Sequence, residues 1–167
     1  MSSEIAGRIC AFIADHHVLS VATHGSDGPH AANVFYASDE MTLFWVSDRN
    51  TQHSREIEAQ PRVAITIASD CFDFSQIRGV QMTGTARRIE SADERARHFA
   101  RLEARYPFLK TLADAPPALR EAYARVEIYC FEPARAVLID NSKGFGHRET
   151  LELGRPSPKA RGLPCDV

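Results

Sequence analysis

The 167-residue sequence lacks the runs and motifs that mark several large classes of protein. Its apolar runs are far too short to cross a bilayer, and no charged segment followed by an apolar one opens the chain, so we expect a cytoplasmic protein without membrane contacts. The net charge of −2 gives no general attraction to nucleic acid. The glycine-rich motifs of doubly wound nucleotide-binding folds and the G-x-S-x-G elbow of hydrolases are also absent.

Cysteine is scarce, and its positions are scattered. The four residues form no C-x-x-C pair and stand at no zinc-ligand spacing with histidine: Cys10, Cys71, Cys130 and Cys165. We therefore expect thiols that pack as small hydrophobic groups, without disulfides. The pairs His16–His17 and His24–His30 are likewise too weakly patterned to predict a metal site.

Apolar residues recur with a helical period at the start of the chain. Ile5, Ile9, Phe12 and Ile13 lie at i, i+4, i+7 and i+8, which predicts an amphipathic helix that runs to about His16. Three short segments rich in β-branched and aromatic residues follow, HVLSVATH, HAANVFYA and MTLFWVSD, and turn residues bound each of them. We expect these segments to form a three-stranded antiparallel meander.

The rest of the chain adds further strands and helices. RVAITIAS predicts a fourth strand and IRGVQMTGTARRIE a fifth, in which Gly79 and Gly84 mark a bulge or a close backbone approach. Ser91 and Glu94 form an S-x-x-E capping box at the start of a helix that stops at Pro107, and APPALREAY begins a shorter helix. RVEIYCFEPARAVLIDN then returns to strand character.

Together these elements predict a mainly β (α+β) fold, an antiparallel six-stranded barrel with an N-terminal helix and peripheral helices. The length suits one domain, which we place at residues 1–150. The remaining residues, 151–167, are rich in proline and glycine without periodicity, as expected of a C-terminal tail.

One polar segment, NTQHSREIEAQPRV at residues 50–63, directly follows the apolar strand TLFWVSD. A helix that begins near Asn50 would present free backbone N–H groups and the positive end of its dipole, both of which favour an anion. Thr51 adds a hydroxyl and His53 a titratable cation, while Arg49 or Arg55 could supply a permanent charge. The plainer alternative is a helix cap beside a surface histidine.

The order of elements and the pattern T-x-H-x-x-x-I-x-x-x-P-x-V resemble the FMN-binding split barrel of the pyridoxamine 5′-phosphate oxidase superfamily, over about residues 5–150. In that family the segment commonly reads S-x-K-x-x-x-L-x-x-N-P-x-V, and its serine and lysine bind the FMN phosphate. The resemblance therefore implies that Thr51 and His53 bind this phosphate. It also implies a homodimer with the cofactor at the interface.

Four stretches are similar to a group of bacterial proteins within that superfamily: N-x-F-Y at residues 33–36, T-x-H at 51–53, I-R-G-V-Q at 77–81 and D-N-x-x-G-F-G at 140–146. The resemblance implies flavin-ring contacts from the second and third strands, with further contacts from residue 81 and from the segment 143–148 of the same or the partner chain. The ring-contacting residues would be Asn33, Val34, Phe35, Tyr36, Val46, Ser47 and Gln81.

The activity implied by the resemblance is that of an FMN-dependent oxidoreductase with an unknown small-molecule substrate. We assign no catalytic residue and no metal ligand. Oxidation of pyridoxamine 5′-phosphate itself is not expected, because AANVFYA has no basic residue and the C-terminal R-x-H motif is missing. One alternative is a non-catalytic module that binds flavin or haem for storage or sensing, with His53 or His147 as the haem ligand. Another is a dimeric interaction protein without a ligand.

Overall fold

The computed structural model describes residues 2–154. Eight strands form its sheet: β1 Val18–Gly25, β2 Gly28–Phe35, β3 Ala37–Asp39, β4 Thr42–Asp48, β5 Arg62–Ala68, β6 Arg78–Arg88, β7 Val126–Asp140 and β8 Arg148–Glu152. The helices are α1 Ser2–Asp15, α2 Gln52–Ala59, α3 Ala92–Arg105, α4 Phe108–Thr111 and α5 Pro117–Ala124. Residues 155–167, which include Cys165 and most of the predicted tail, lie outside the described residues.

The sheet is antiparallel throughout, with the order β2-β1-β5-β6-β7-β4-β3 and with β8 paired to β7. The predicted mainly β architecture with peripheral helices is confirmed. The six long strands are those expected from the sequence, and β3 and β8 add two short ones.

The predicted three-stranded meander is wrong. β1 does pair with β2, but β4 pairs with β7, so β2 and β4 are not hydrogen-bonded neighbours. The β4–β7 register places Trp45 opposite Tyr129, and the two rings stack in the core with centroids 6.0 Å apart. Burial of these large aromatic side chains on one shared face favours the long-range pairing over the local one.

The main core fills the inside of the curled sheet and is closed at one side by α1. Ile9 and Ile13 of α1 are fully buried there, which confirms the predicted amphipathic helix. A second cluster lies on the other face of β4 and β7, beneath α3, and includes Phe44, Leu102 and Ile128. Alternate residues of β4 therefore belong to two different cores.

Glycine positions in β6 match their predicted role. The β6–β7 register shifts between Thr83 and Gly84, and a Cβ on Gly84 would lie 2.2 Å from the carbonyl oxygen of Glu132. The predicted helix cap is also confirmed, because the Ser91 hydroxyl accepts a hydrogen bond from the backbone N–H of Glu94 at the start of α3. Within residues 2–154, no helix is long and apolar enough to span a membrane.

Candidate functional site

The turn between β4 and α2 is fixed by the carboxylate and carbonyl of Asp48. The Asp48 side chain accepts a hydrogen bond from the backbone N–H of Asn50 at 2.8 Å, and its carbonyl accepts one from the N–H of Thr51 at 3.0 Å. The hydrogen bond from Asn50, together with the Arg125 guanidinium, lowers the pKa of the Asp48 carboxyl. Thr51 is the N-cap of α2 by backbone geometry, but its hydroxyl caps none of the helix N–H groups. The first turn of α2 therefore keeps its N–H groups available for an anion.

Three polar side chains meet beside this turn, and we call them the cradle: Ser47, Thr51 and His53. The His53 Nε2 atom lies 2.7 Å from the Ser47 hydroxyl and 3.2 Å from the Thr51 hydroxyl, and the two hydroxyl oxygens are 3.2 Å apart. Ser47 and His53 are each only 8% exposed. The structure therefore brings together three of the residues that the resemblance implied, and Ser47 takes part through its side-chain hydroxyl.

The surroundings of His53 favour its neutral imidazole. Burial lowers the pKa of its imidazole, and the nearby His30 lowers it further, while Glu56 acts in the opposite direction. The predicted permanent charges are not in the cradle either. The Arg49 guanidinium lies 3.8 Å from the Glu58 carboxylate, and that of Arg55 donates to the carbonyl of Asn50 at 2.7 Å. Hydroxyls, an imidazole and backbone N–H groups thus provide the cradle's donors.

A buried carboxylate behind the cradle was missed by the sequence analysis. Glu56 of α2 is 9% exposed and accepts hydrogen bonds from the Thr23 hydroxyl at 2.5 Å and from the Gln52 amide at 2.9 Å. The Thr23 and Gln52 bonds lower the pKa of Glu56, with smaller contributions from His30 and His24, so the carboxylate is ionised at neutral pH. The spacing of His53, Glu56 and Ile57 at i, i+3 and i+4 was the available signal that these side chains share one helix face.

His30 was also missed, because it had been considered only as a metal ligand. It lies on β2, with Nδ1 3.7 Å from Glu56 Oε2 and 3.5 Å from the Thr23 hydroxyl. Its ring is nearly parallel to that of His53, with centroids 6.3 Å apart and an angle of 8° between the planes. The cradle therefore has a second imidazole beside it, contributed by a different strand.

The four predicted residues of the N-x-F-Y stretch fall on two faces. Asn33 and Phe35 point to the exposed face of β2, where Asn33 accepts a hydrogen bond from the Ser20 hydroxyl at 2.5 Å. Val34 packs against the main core, and Tyr36 is fully buried, with its hydroxyl donating to the carbonyl of Ile13 at 2.6 Å. Because neighbouring strand residues alternate, only the Asn33 and Phe35 side chains reach the exposed face.

Val46 and Gln81 lie apart from the cradle. Val46 faces away from Ser47 and lines a cavity of about 380 Å³ beneath α3 and α5, together with Phe99 and Tyr123. Gln81 lies on the outside of the sheet, opposite Thr66 of β5. Thr66 is opposite Ser20 of β1, and Ser20 is opposite Asn33 of β2, so Gln81 and Asn33 belong to one row across four strands.

Small side chains cover the outside of the sheet around that row, and we call this region the outer sheet face. Ala22, Ala31 and Ala64 are cross-strand neighbours on it, and all three are exposed. A depression of about 330 Å³ runs over these residues. Its remaining lining residues include Ser20, Thr66, Gln81, Thr83, Arg135 and Val137.

Comparison with known proteins agrees with this architecture. The family model described as pyridoxamine 5′-phosphate oxidase matches residues 5–130. A UPF0306 protein from Photorhabdus laumondii is 32% identical over 139 residues, which covers 82% of this chain and 88% of that protein.

Two solved structures have the same fold at low sequence identity. A haem-binding protein from Mycobacterium smegmatis matches with a TM-score of 0.66 and 22% identity over 91% of this chain and 58% of that chain. A haem storage protein from Vibrio cholerae matches with a TM-score of 0.61 and 15% identity over 76% of this chain and 88% of that chain. By sequence match and by fold, the chain belongs to the pyridoxamine 5′-phosphate oxidase family and has UPF0306 proteins among its relatives.

Proposed function

We propose that this chain is a homodimeric FMN-binding protein that acts as an oxidoreductase on a small molecule. The observation that carries the proposal is the convergence of Ser47, Thr51 and His53, within 3.2 Å of one another, at the uncapped start of α2. Phosphate is the part of FMN that this donor set fits. The family resemblance supplies the cofactor's identity.

The cradle's chemistry suits phosphate. Two hydroxyls and an imidazole N–H can all donate to phosphate oxygens, and the first-turn N–H groups of α2 add backbone donors next to the positive end of the helix dipole. In the structure these side chains bond to one another. A phosphate oxygen placed among them would replace these mutual hydrogen bonds with charge-assisted ones.

The outer sheet face supports the homodimer. Alanine neighbours on three adjacent strands leave room for a second copy to approach the backbone closely, and the charged lining residue Arg135 is paired with Glu152 at 3.0 Å. Asn33 and Gln81 place amide groups on this face, and Phe35, which is 54% exposed, adds an aromatic ring. In the proposed dimer these side chains would contact the flavin ring at the seam between subunits.

When bound, FMN would supply hydride transfer. The protein's own residues would hold the phosphate, orient the ring and exclude water. No side chain in the described part of the site has a geometry that assigns it an acid or base role, so the substrate is left as a small molecule of unspecified class. Pyridoxamine 5′-phosphate is disfavoured, because β2 carries no lysine or arginine.

Haem binding without catalysis is the second candidate, because two of the solved structures that share this fold are a haem-binding protein and a haem storage protein. His147 is the better candidate for the residue that would hold the haem iron. Its Nε2 atom lies 3.2 Å from a carboxylate oxygen of Glu149, an arrangement that can orient a ligating imidazole. His53, in contrast, is only 8% exposed, whereas the His147 side chain is 36% exposed.

Absorbance titrations with FMN and with haemin distinguish the two candidates. We expect stoichiometric binding of FMN to the purified protein, a weaker affinity in His53→Gln and an unchanged affinity in His98→Gln, which alters a histidine on α3 that packs against Phe44. A Soret band that forms with haemin and is lost in His147→Ala, with no FMN binding, would overturn the proposal in favour of the haem candidate.

A further inference from the structure

We propose that two copies of this chain pack through their outer sheet faces around a two-fold axis that runs along the strands, over the β1–β5 pair. In this arrangement Asn33 and Phe35 of each subunit lie against Gln81 and the 69–77 loop of the partner subunit. The inference rests on the homodimer of the proposed function. It adds that each flavin-ring site would take Asn33 and Phe35 from one subunit and Gln81 from the other.

The outer sheet face is left open by the helices of the described chain. Ile13 of α1 and Ile57 of α2 pack into the main core on the inner face, and Leu102 of α3 packs on the outside of β4 and β7. A sheet face in contact with water usually carries polar side chains, so an alanine-rich face favours a covering layer. The residues of β2, β1, β5 and β6 left exposed there within residues 2–154 include Ala31, Asn33, Ala22, Ala64, Thr66, Gln81 and Thr83.

One row of side chains across these four strands is symmetric about the β1–β5 pair. Ser20 of β1 lies opposite Thr66 of β5, so two hydroxyls form its centre. Asn33 lies beside Ser20 on β2 and Gln81 lies beside Thr66 on β6, so an amide stands at each end. Rotation by 180° about an axis over the centre places Asn33 of each copy against Gln81 of the partner subunit. Amides both donate and accept hydrogen bonds, so the row is self-complementary, as an isologous interface requires.

The next row along the strands has side chains small enough for close approach. Its members, from β2 to β6, are Ala31, Ala22, Ala64 and Thr83. Sheets that pack face to face with aligned strands lie about 10 Å apart and cross at about 30°. With alanine on three of the four strands, the row leaves room for the neighbouring amides to meet across the interface.

Exposed aromatic side chains lie at one end of the face, on both sides of the axis. β2 and β5 are both antiparallel to β1, so their C-terminal ends lie at the same end of the sheet. Phe35 ends β2 there, with its ring 6.2 Å from that of Phe108, and the two are 54% and 49% exposed. The 69–77 loop follows β5 and carries Phe72 and Phe74, which are fully and 63% exposed. The same rotation brings each aromatic group toward the other group of the partner subunit, where both would be buried.

The 69–77 loop is held in place by a buried residue of the D-N-x-x-G-F-G stretch. The Asn141 side chain donates a hydrogen bond to the carbonyl of Phe74 at 2.8 Å, and its backbone N–H donates to the carbonyl of Ile77 at 3.0 Å. The ring of Phe74 also meets that of Phe145 edge to face, with centroids 5.9 Å apart. A loop fixed in this way loses little conformational freedom when a partner binds it.

Cross-linking of cysteine variants tests the position of the axis without any cofactor. Positions 33 and 81 of one chain are three strand spacings apart, about 14 Å, whereas across the proposed interface they face each other at about 10 Å. We expect bis-maleimidoethane to join Asn33→Cys/Gln81→Cys into a covalent dimer through residues 33 and 81. Mass spectrometry of the linked peptides separates this product from links through the native cysteines. Neither single variant should form a link between its two new cysteines.

The outcomes separate the position of the axis from the existence of the dimer. A link between the two copies of position 33, or between the two copies of position 81, would place the axis elsewhere and overturn the inference. A dimeric double variant without the 33-to-81 link would do the same. Wild-type protein that is monomeric by light scattering would instead overturn the homodimer of the proposed function, and this inference with it.

Sedimentation equilibrium of Phe72→Ser tests the contact made by the loop. The Phe72 side chain is fully exposed, so its loss removes no packing within the chain. We expect the dissociation constant of the dimer to rise about tenfold or more, because a buried aromatic side chain is a frequent main contributor to an interface. Leu119→Ser, at a 47% exposed position on α5, is the matched control and should leave it unchanged. A wild-type dissociation constant in Phe72→Ser would overturn the proposed placement of the loop.

Discussion

Removal of one cradle hydroxyl should weaken FMN binding without weakening riboflavin binding. In Thr51→Ala, the lost group is a hydroxyl that the proposed phosphate would use and that riboflavin, without a phosphate, would not. A hydrogen bond to a charged group contributes about 1.5–3 kcal/mol, which corresponds to roughly a 10- to 150-fold loss of affinity. In the free protein the same hydroxyl donates to Ser54 Oγ or to the carbonyl of Asp48, at 2.8 and 2.9 Å, so it exchanges existing bonds on binding. We therefore expect a loss near the lower limit, about tenfold.

Dissociation constants for both ligands can be measured by quenching of flavin fluorescence, with thermal unfolding as a check on the fold. Thr111→Ala is a matched control, since that hydroxyl donates to a backbone carbonyl on α4 at 2.7 Å and is exposed. An equal loss of affinity for FMN and riboflavin in Thr51→Ala would show that Thr51 does not contact the phosphate. Unchanged FMN binding in a folded variant would have the same meaning.

Three further predictions concern assembly and stability. Ala64→Arg should convert the proposed dimer to monomers, because it places a charge on the outer sheet face, and light scattering would measure the change in mass. The control Ala104→Arg, on α3, should leave the dimer intact. A dimeric Ala64→Arg protein would show that the outer sheet face is not the interface. Gly84→Ala should lower the free energy of unfolding, measured in urea, by about 1–3 kcal/mol, because the new Cβ would lie 2.2 Å from a backbone carbonyl oxygen. Gly7→Ala, in open space on α1, should instead raise the free energy of unfolding by about 0.5–1 kcal/mol. Equal effects of the two substitutions would contradict the close approach at Gly84. Burial lowers the pKa of His98, so the unfolded chain binds that proton more readily than the folded one, and stability should decrease as the pH falls from about 7.5 to about 5.5. His98→Gln should reduce that loss of stability at low pH. If urea unfolding shows the same dependence of the unfolding free energy on pH in His98→Gln as in the wild type, the pKa of His98 is not lowered.

Local sequence determined the elements that depend on neighbouring residues. The helical period of Ile9 and Ile13 reflects one buried helix face, and the Ser91 cap reflects a hydrogen bond that spans three residues. Gly84 marked a close approach because only glycine tolerates it. The T-x-H stretch at residues 51–53 located the start of α2 and two members of the cradle, since a helix start and its side chains lie within one turn of chain.

Tertiary structure alone decided the pairing of β4 with β7 and the composition of the site beyond that turn. Pairing depends on which distant strand buries Trp45 and Tyr129 on a common face, and no local pattern specifies that partner. The charge state of His53 likewise follows from burial and from groups on other elements, because a pKa responds to distance in space and not to separation along the chain. His30 and Glu56 meet only when β2 and α2 come together around β1, so the sequence could identify the start of the cradle but not the side chains beside it.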